Sequence, residues 1–197
     1  MKKADITPHN SNVVVEVTKL PTTINDIHVG EQSEMTKVQI EFYYGKAIKI
    51  GSTATSKNQC PELKVGDGVV FQQIAGYQVP TTDSYCKVIG AYNVVAITSD
   101  LENMNAETIT PTGDRVLVEI IGEKLVSEDG IHDESKADPR ESATQKGRVI
   151  SCAKGAAHIE KGTIVAFDPY CGNLIVNDDD LQLKTVNTHD ILFSLPG

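Results

Sequence analysis

No stretch of this chain approaches the roughly twenty consecutive apolar residues that a helix needs to cross a bilayer. The opening MKKADITPHN places two lysines ahead of no apolar run, so a secretory signal is not expected either. A basic surplus is also missing: Lys and Arg number 18 against 27 Asp and Glu, a net charge of −9. Nucleic-acid affinity comes mainly from Lys and Arg displacing counterions, so no nucleic-acid partner is expected. Residues 1–98 hold nine charges of each sign and residues 99–197 hold nine basic and eighteen acidic ones, which puts all the negative excess in the second half. The four cysteines, Cys60, Cys86, Cys152 and Cys171, lie far apart and form no CxxC. Such spacing suits reduced thiols in a cytosol better than a disulfide framework. The expectation is a soluble, cytoplasmic protein with no membrane partner.

Catalytic signatures are absent too. The chain has no GxSxG, P-loop or HExxH, and no GxGxxG that would go with a dinucleotide domain, so an enzyme and a cofactor are not expected. Cys152, His158, Cys171 and His189 are zinc-ligand types, but their spacing fits no closed Cys/His template, and the two cysteines fall in apolar, strand-like settings. Asp178-Asp179-Asp180 lacks the alternating ligands and glycine of a calcium loop. No metal is expected.

What the chain does contain is a repeat, which decides how everything else is read. ITPHNSNVVVEV (6–17) and ITPTGDRVLVEI (109–120) share Ile-Thr-Pro, a short polar spacer and an apolar run containing Val-Glu. GKAIKIG (45–51) then answers GRVISCA (147–153), VGDGVVFQQIAGY (65–77) answers KGTIVAFDPYCGN (161–173), and YNVVAI (92–97) answers HDILFS (189–194). The landmarks keep their order and their offset drifts by only a few residues, as loop-length changes would produce. A tandem duplication is expected: residues 1–98, a polar linker over 99–108, and residues 109–197.

Each copy reads as all-β. Val13, Val15 and Val17 alternate, as do Val116, Val118 and Ile120, while VQIEFYY (38–44) puts Val38, Ile40, Phe42 and Tyr44 on one side. Gly, Pro, Asn and Asp punctuate these runs about every ten positions, and no window shows a helical period. Two small barrels or sandwiches of short antiparallel strands are expected. Each copy also carries a long polar insert after its first strand, about 18–36 and 122–146. Inserts so poor in large apolar residues cannot offset their ordering entropy by burial, so mobile loops are expected there. Within them lie two stretches with an isolated apolar residue before histidine: NDIHVG, with Ile27, His28 and Val29, and DGIHDE, with Gly130, Ile131 and His132.

Taken in order, TPTGDRVLVEI, the acidic insert with DGIHDE, KGRVISCAKG, EKGTIVAFDPYCG and VNTHDILFSLPG resemble a GroES-type co-chaperonin subunit of the 10 kDa chaperonin family. Pro111, Asp114, Arg115 and Val116 fit the family's opening pattern, Gly147 and Val149 the strand after its mobile loop. Gly162, Val165, Phe167, Tyr170 and Gly172 fit the central strand and turn, and Asp190, Ile191 and Leu192 the ending. No single motif is specific; the ordered set is. The first copy resembles the family more weakly, with Ser11 and Asn12 where Asp114 and Arg115 stand and Asn93-Val94-Val95 for the Asp-Ile-Leu ending. Tandem forms resemble double-domain plastid co-chaperonins, and the divergence resembles co-chaperonins encoded by bacteriophages, which would place the protein in a host cytoplasm.

The resemblance implies two tandem GroES-like small β-barrels, each with a mobile loop, in a homo-oligomeric ring. The ring would cap a GroEL-type chaperonin, which itself binds the ATP, and would enclose unfolded client proteins. Each loop would dock a short apolar tripeptide. In the first copy this is Ile27-His28-Val29, followed by Gly30 for the turn. In the second, Ile131-His132 is followed by Asp133, whose carboxylate is costly to desolvate in an apolar groove, so weaker docking is implied; Leu125-Val126 is an alternative anchor. The second copy's CAKGAAHIEKG (152–162) is also too short for the family's roof hairpin, which implies a partly open dome; STATSKNQCPELKVG (52–66) is somewhat longer. The rival reading is a duplicated β-barrel structural or virion-associated binding protein. It accounts for strands and duplication but not for inserts at equivalent places.

Overall fold

The computed structural model describes residues 2–18, 42–57, 59–72, 74–82, 84–121, 144–177 and 181–195. Two compact units emerge, Met1–Val94 and Val95–Gly197. Among the described residues there are thirteen strands: β1 (Asn12–Thr18), β2 (Phe42–Ile50), β3 (Gly68–Gln72), β4 (Tyr77–Pro80), β5 (Tyr85–Gly90), β6 (Val94–Thr98), β7 (Ile109–Pro111), β8 (Arg115–Ile121), β9 (Gln145–Cys152), β10 (Ile164–Phe167), β11 (Asn173–Asn177), β12 (Gln182–Asn187) and β13 (Ile191–Leu195). Helical structure among the described residues is confined to 3₁₀ turns such as Ala91–Asn93 and Thr188–Asp190. The all-β expectation holds.

The strands order as β4-β5-β1-β2-β3-β6-β7 in one sheet and β11-β12-β8-β9-β10-β13 in the other. β8 to β13 take the places of β1 to β6 one for one, so the duplication read from sequence is repeated in topology, with β7 as the single addition. Both orders run from one edge strand to another. What the described residues form are therefore two open sheets rather than the closed barrels expected, because no pairing joins the two edges of either sheet.

Alternating β-branched residues make β1 and β8 strands, but burial does not alternate. Val13, Val14 and Val15 are all fully buried, as are Val116, Leu117 and Val118. Val14 points to the face that alternation would leave to solvent, and there Ile6 and Cys86 cover it, with Ile48, Val79 and Val88 around them. The main core of the second unit joins Val116, Val118, Val149, Ala156, Val165, Phe167 and Val186. Their cognates Val13, Val15, Ala47, Ala54, Val69, Phe71 and Ile89 are likewise fully buried. Each Val, Ile or Phe among them contributes about 1.5–3 kcal/mol from area alone.

Irregularities repeat as well. The β1–β2 register shifts between Val14 and Val15, and the β8–β9 register between the cognate Leu117 and Val118. The turn before each of these first strands needs a left-handed residue, supplied by Asn10 at φ 53° and Gly113 at φ 67°; Asn tolerates that region by local hydrogen bonding where most residues do not. Residues 153–162 fold as compact turns, Ala156 N–H donating to Ala153 O and Ile159 N–H to Ala156 O, each at 3.0 Å.

The stretch 99–108, expected as a polar linker, is a hydrogen-bonded connection between β6 and β7. Asp100 Oδ1 accepts from the N–H groups of Glu102 at 2.9 Å and Asn103 at 3.2 Å. Asn105 Oδ1 accepts from those of Glu107 at 2.8 Å and Thr108 at 3.2 Å. Asn and Asp close such turns with their own side chains. The Asn103 side chain, then the two N–H groups, hold the Asp100 carboxyl below its usual range.

Candidate functional site

Ile27, His28, Val29, Gly130, Ile131 and His132 all lie outside the described residues, as do Leu125 and Val126. What is described is how the chain enters and leaves the segments that carry them. β1 and β2 are adjacent antiparallel strands whose last rung is Thr18↔Tyr44, and β8 and β9 end at Ile121↔Lys146. Each candidate segment therefore leaves and rejoins its sheet at the two ends of one strand pair, at cognate places. Burial pushes the Tyr44 phenol up at the first of these ends.

A glycine lies one rung inside each end. Gly45 faces Val17 and Gly147 faces Ile120. A Cβ on Gly45 would stand 2.5 Å from Glu16 O and 2.6 Å from Val15 Cγ1; one on Gly147 would stand 2.9 Å from Val118 Cβ. Only a residue without a side chain lets the returning strand approach this closely. The glycine in each GK/GR landmark is thus a packing requirement of the segment's root.

A second feature of these ends was not singled out from sequence. Lys87 and Lys184, at cognate positions in β5 and β12, are 6% and 7% exposed. Lys87 Nζ lies 5.9 Å from the Phe71 ring centroid and Lys184 Nζ 5.4 Å from that of Phe167, so each repeat sets a buried ammonium over its core phenylalanine. Lys184 Nζ also donates to Pro169 O at 2.6 Å and to Gln145 Oε1 at 3.2 Å, and Gln145 is the first residue of β9, where the second segment ends. Desolvation lowers both lysines below their ordinary value; for Lys184 the nearby Cys171 and Asp168 act in the opposite direction. A lysine amid the apolar residues of YCKVIG and of LQLKTV, at matching positions of a repeat, was the available signal.

The four residues of zinc-ligand type are not drawn together: no cluster of three or more His, Cys, Asp or Glu able to hold a metal occurs among the described residues. Cys152 Sγ donates to Ile159 O at 3.1 Å, and burial pushes its thiol up. The Cys171 thiol is raised by burial first, then by Asp190 and Asp168. His189 Nε2 stands 3.5 Å from Asp190 Oδ1 with its side chain 75% exposed. Asp178-Asp179-Asp180 lies outside the described residues.

Such an arrangement presents segments. Each connects the two strands of one antiparallel pair, with a tight glycine rung one position inside the pair's end and a buried lysine over the core phenylalanine of the same repeat. A family model described as Chaperonin 10 Kd subunit matches residues 5–98 and, separately, residues 108–194. The chain is also similar to a curated protein, the co-chaperonin GroES of Solidesulfovibrio magneticus (strain ATCC 700980 / DSM 13731 / RS-1). The two are 35% identical over 95 residues, which span 43% of this chain and 93% of that protein.

Proposed function

Because the chain belongs to the Chaperonin 10 Kd subunit family, in a tandem two-repeat form, we propose that it is a co-chaperonin whose copies assemble into a ring and cap a GroEL-type chaperonin. The partner binds and turns over ATP. This chain supplies binding segments and carries out no covalent step, and it works in the cytoplasm. Once the cap is seated, unfolded client proteins fold in the enclosed space.

Ile27-His28-Val29 is the principal contact, Ile27 and Val29 filling apolar pockets of the chaperonin at very roughly 1.5–3 kcal/mol each before ordering costs. Gly130-Ile131-His132 is the weaker one, since Asp133 brings a charge that is expensive to desolvate. Segments this polar gain their contacts at the expense of ordering entropy, so a single contact is weak and reversible, and several on one assembly act together. The observation that carries this reading is the family domain matched twice, with both candidate segments leaving cognate strand ends.

Mixing the protein with GroEL-type chaperonins and ATP, followed by native mass spectrometry or electron microscopy, tests it. A capped complex is expected, and Ile27→Asp weakens it more than Ile131→Asp. Failure to bind any of several chaperonins ends the reading, and the opposite order of the two variants moves the principal contact to the second segment.

A further inference from the structure

One end of the second sheet is bridged by a side chain where no ladder runs. β12 pairs with β11 on one side and β8 on the other, so β8 stands between it and β9. Among the described residues no ladder joins β12 to β9 or β10. Lys184 crosses that gap. It lies opposite Val118 in the β12–β8 register, and its Nζ reaches Gln145 Oε1 at 3.2 Å, Pro169 O at 2.6 Å and the Phe167 ring at 5.4 Å from the centroid. Gln145 and Phe167 are themselves partners, the end rung of β9 against β10. One buried ammonium therefore meets both members of the rung where the chain rejoins the sheet after the second candidate segment.

Its carbonyl acceptor belongs to a tightly bonded turn. Within residues 168–172 the Tyr170 N–H donates to Asp168 Oδ1 at 2.8 Å and the Cys171 N–H to Asp168 O at 2.9 Å. Gly172, at φ 76°, lies so close to Thr185 O that no Cβ fits, which seats the turn on β12 beside Lys184. The turn and β12 thus form one packed unit, from which the ammonium reaches out to Gln145. Burying a charge here is expensive. At 7% exposure the ammonium carries a desolvation cost that a methionine of similar length would not, and its lowered pKa has the same origin. In return it donates to a carbonyl and an amide oxygen at once, which an apolar side chain cannot do.

We propose that Lys184 is the positioning residue for the root of the second candidate segment: its ammonium ties Gln145 to the Pro169 turn and so fixes where the chain rejoins β9. The bridge keeps the root closed and does so against the stability of the unit as a whole. Its effect on docking rests on the co-chaperonin reading; the bridge itself does not.

Hydrogen exchange of the full chain, followed by mass spectrometry of peptides covering residues 144–152, reads the root without any chaperonin. Lys184→Met speeds exchange there at least about tenfold, while urea unfolding at neutral pH finds the unit as stable as wild type or more so. A side chain that merely filled space would move both readings together. Gln145→Leu, at a half-buried position, gives the same acceleration, and the double variant adds nothing to either. Lys87→Met, in the other repeat, leaves these peptides unchanged. Wild-type exchange at 144–152 in a folded Lys184→Met, additive effects of the two substitutions, or acceleration only in step with a global loss of stability overturns the proposal. Should Lys184→Met fail to fold, Gln145→Leu decides alone, and wild-type exchange at the root then overturns it. In an Ile27→Asp background, where the second segment carries the contact, Lys184→Met weakens capping several-fold; capping unmoved from the Ile27→Asp level overturns the effect on docking. A protein that passes the exchange tests yet binds no chaperonin would end only the co-chaperonin reading.

Discussion

β6 and β13 begin from the same template, a 3₁₀ turn followed by five residues at the same place in the strand order. One is Val-Val-Ala-Ile-Thr, buried throughout; the other is Ile-Leu-Phe-Ser-Leu, with four of its five residues exposed. Their hydrophobicity hardly differs. The difference is that Ile109-Thr110-Pro111 pairs with the free side of the first, while no strand among the described residues pairs with that of the second. Exposure here reports an unfilled place in the ladder and not a polar surface. The candidate segments diverge in the opposite sense: their roots match rung for rung, while Ile27-His28-Val29 and Ile131-His132-Asp133 differ in the residue that would meet a partner. The shared frame and the altered extremities are thus separable by substitution.

The largest effect expected tests the frame. Phe71→Ala and Phe167→Ala each remove a fully buried ring at cognate core positions and cost about 3–5 kcal/mol of the stability of their own unit, measured by urea unfolding followed separately for the two units. A loss below about 1 kcal/mol in one repeat beside a full loss in the other would end the claim that the two cores are equivalent. Next come the glycine rungs, where a difference is expected. Gly45→Ala meets backbone oxygen at 2.5 Å and Gly147→Ala meets a side-chain carbon at 2.9 Å. Both cost roughly 1–3 kcal/mol, the first more, since its contacts are the closer and one of them is a backbone oxygen of the paired strand. Equal costs in thermal or chemical denaturation would show that the two roots relax alike.

The smallest effect is a slope in pH. Burial puts the folded value of Lys184 below the ordinary 10.5. At neutral pH both folded and unfolded chains hold this proton and the whole burial penalty is present. As pH climbs past the lowered value toward 10.5, the folded state releases its proton first, the unfolded chain binds more protons, and stability rises. Lys184→Met removes this dependence, so its stability relative to wild type is most favourable at neutral pH and declines as the solution becomes alkaline. Lys87→Met follows the same sign. A relative stability that improves with rising pH would contradict a net desolvation penalty at these lysines.

Much of the frame was legible before any coordinates. Matching landmarks gave the duplication, and β-branched runs gave the strands. Alternation failed at Val14 and Leu117, because a strand covered on both faces needs apolar residues at every position, and the residue covering Val14 is Ile6, several positions upstream. The turns within the polar stretch 99–108 were not legible, because composition does not reveal that Asp100 and Asn105 accept from the N–H groups two and three residues further on. Lys87 and Lys184 went unremarked because a lysine in a strand ordinarily signals a solvent-facing position.

By itself, then, the sequence determined the repeat, the strand content and the family, since each depends on local periodicity or on residues matched in order along the chain. Tertiary structure alone decided that two lysines lie over phenylalanine and that, among the described residues, the sheets stay open and β6 is covered while β13 is not. Those properties depend on which distant strand, ring or carbonyl arrives beside a residue. A strand's own side chains encode its faces, but its edges are backbone, alike in every residue but proline, and whether an edge is filled is settled only by what folds against it.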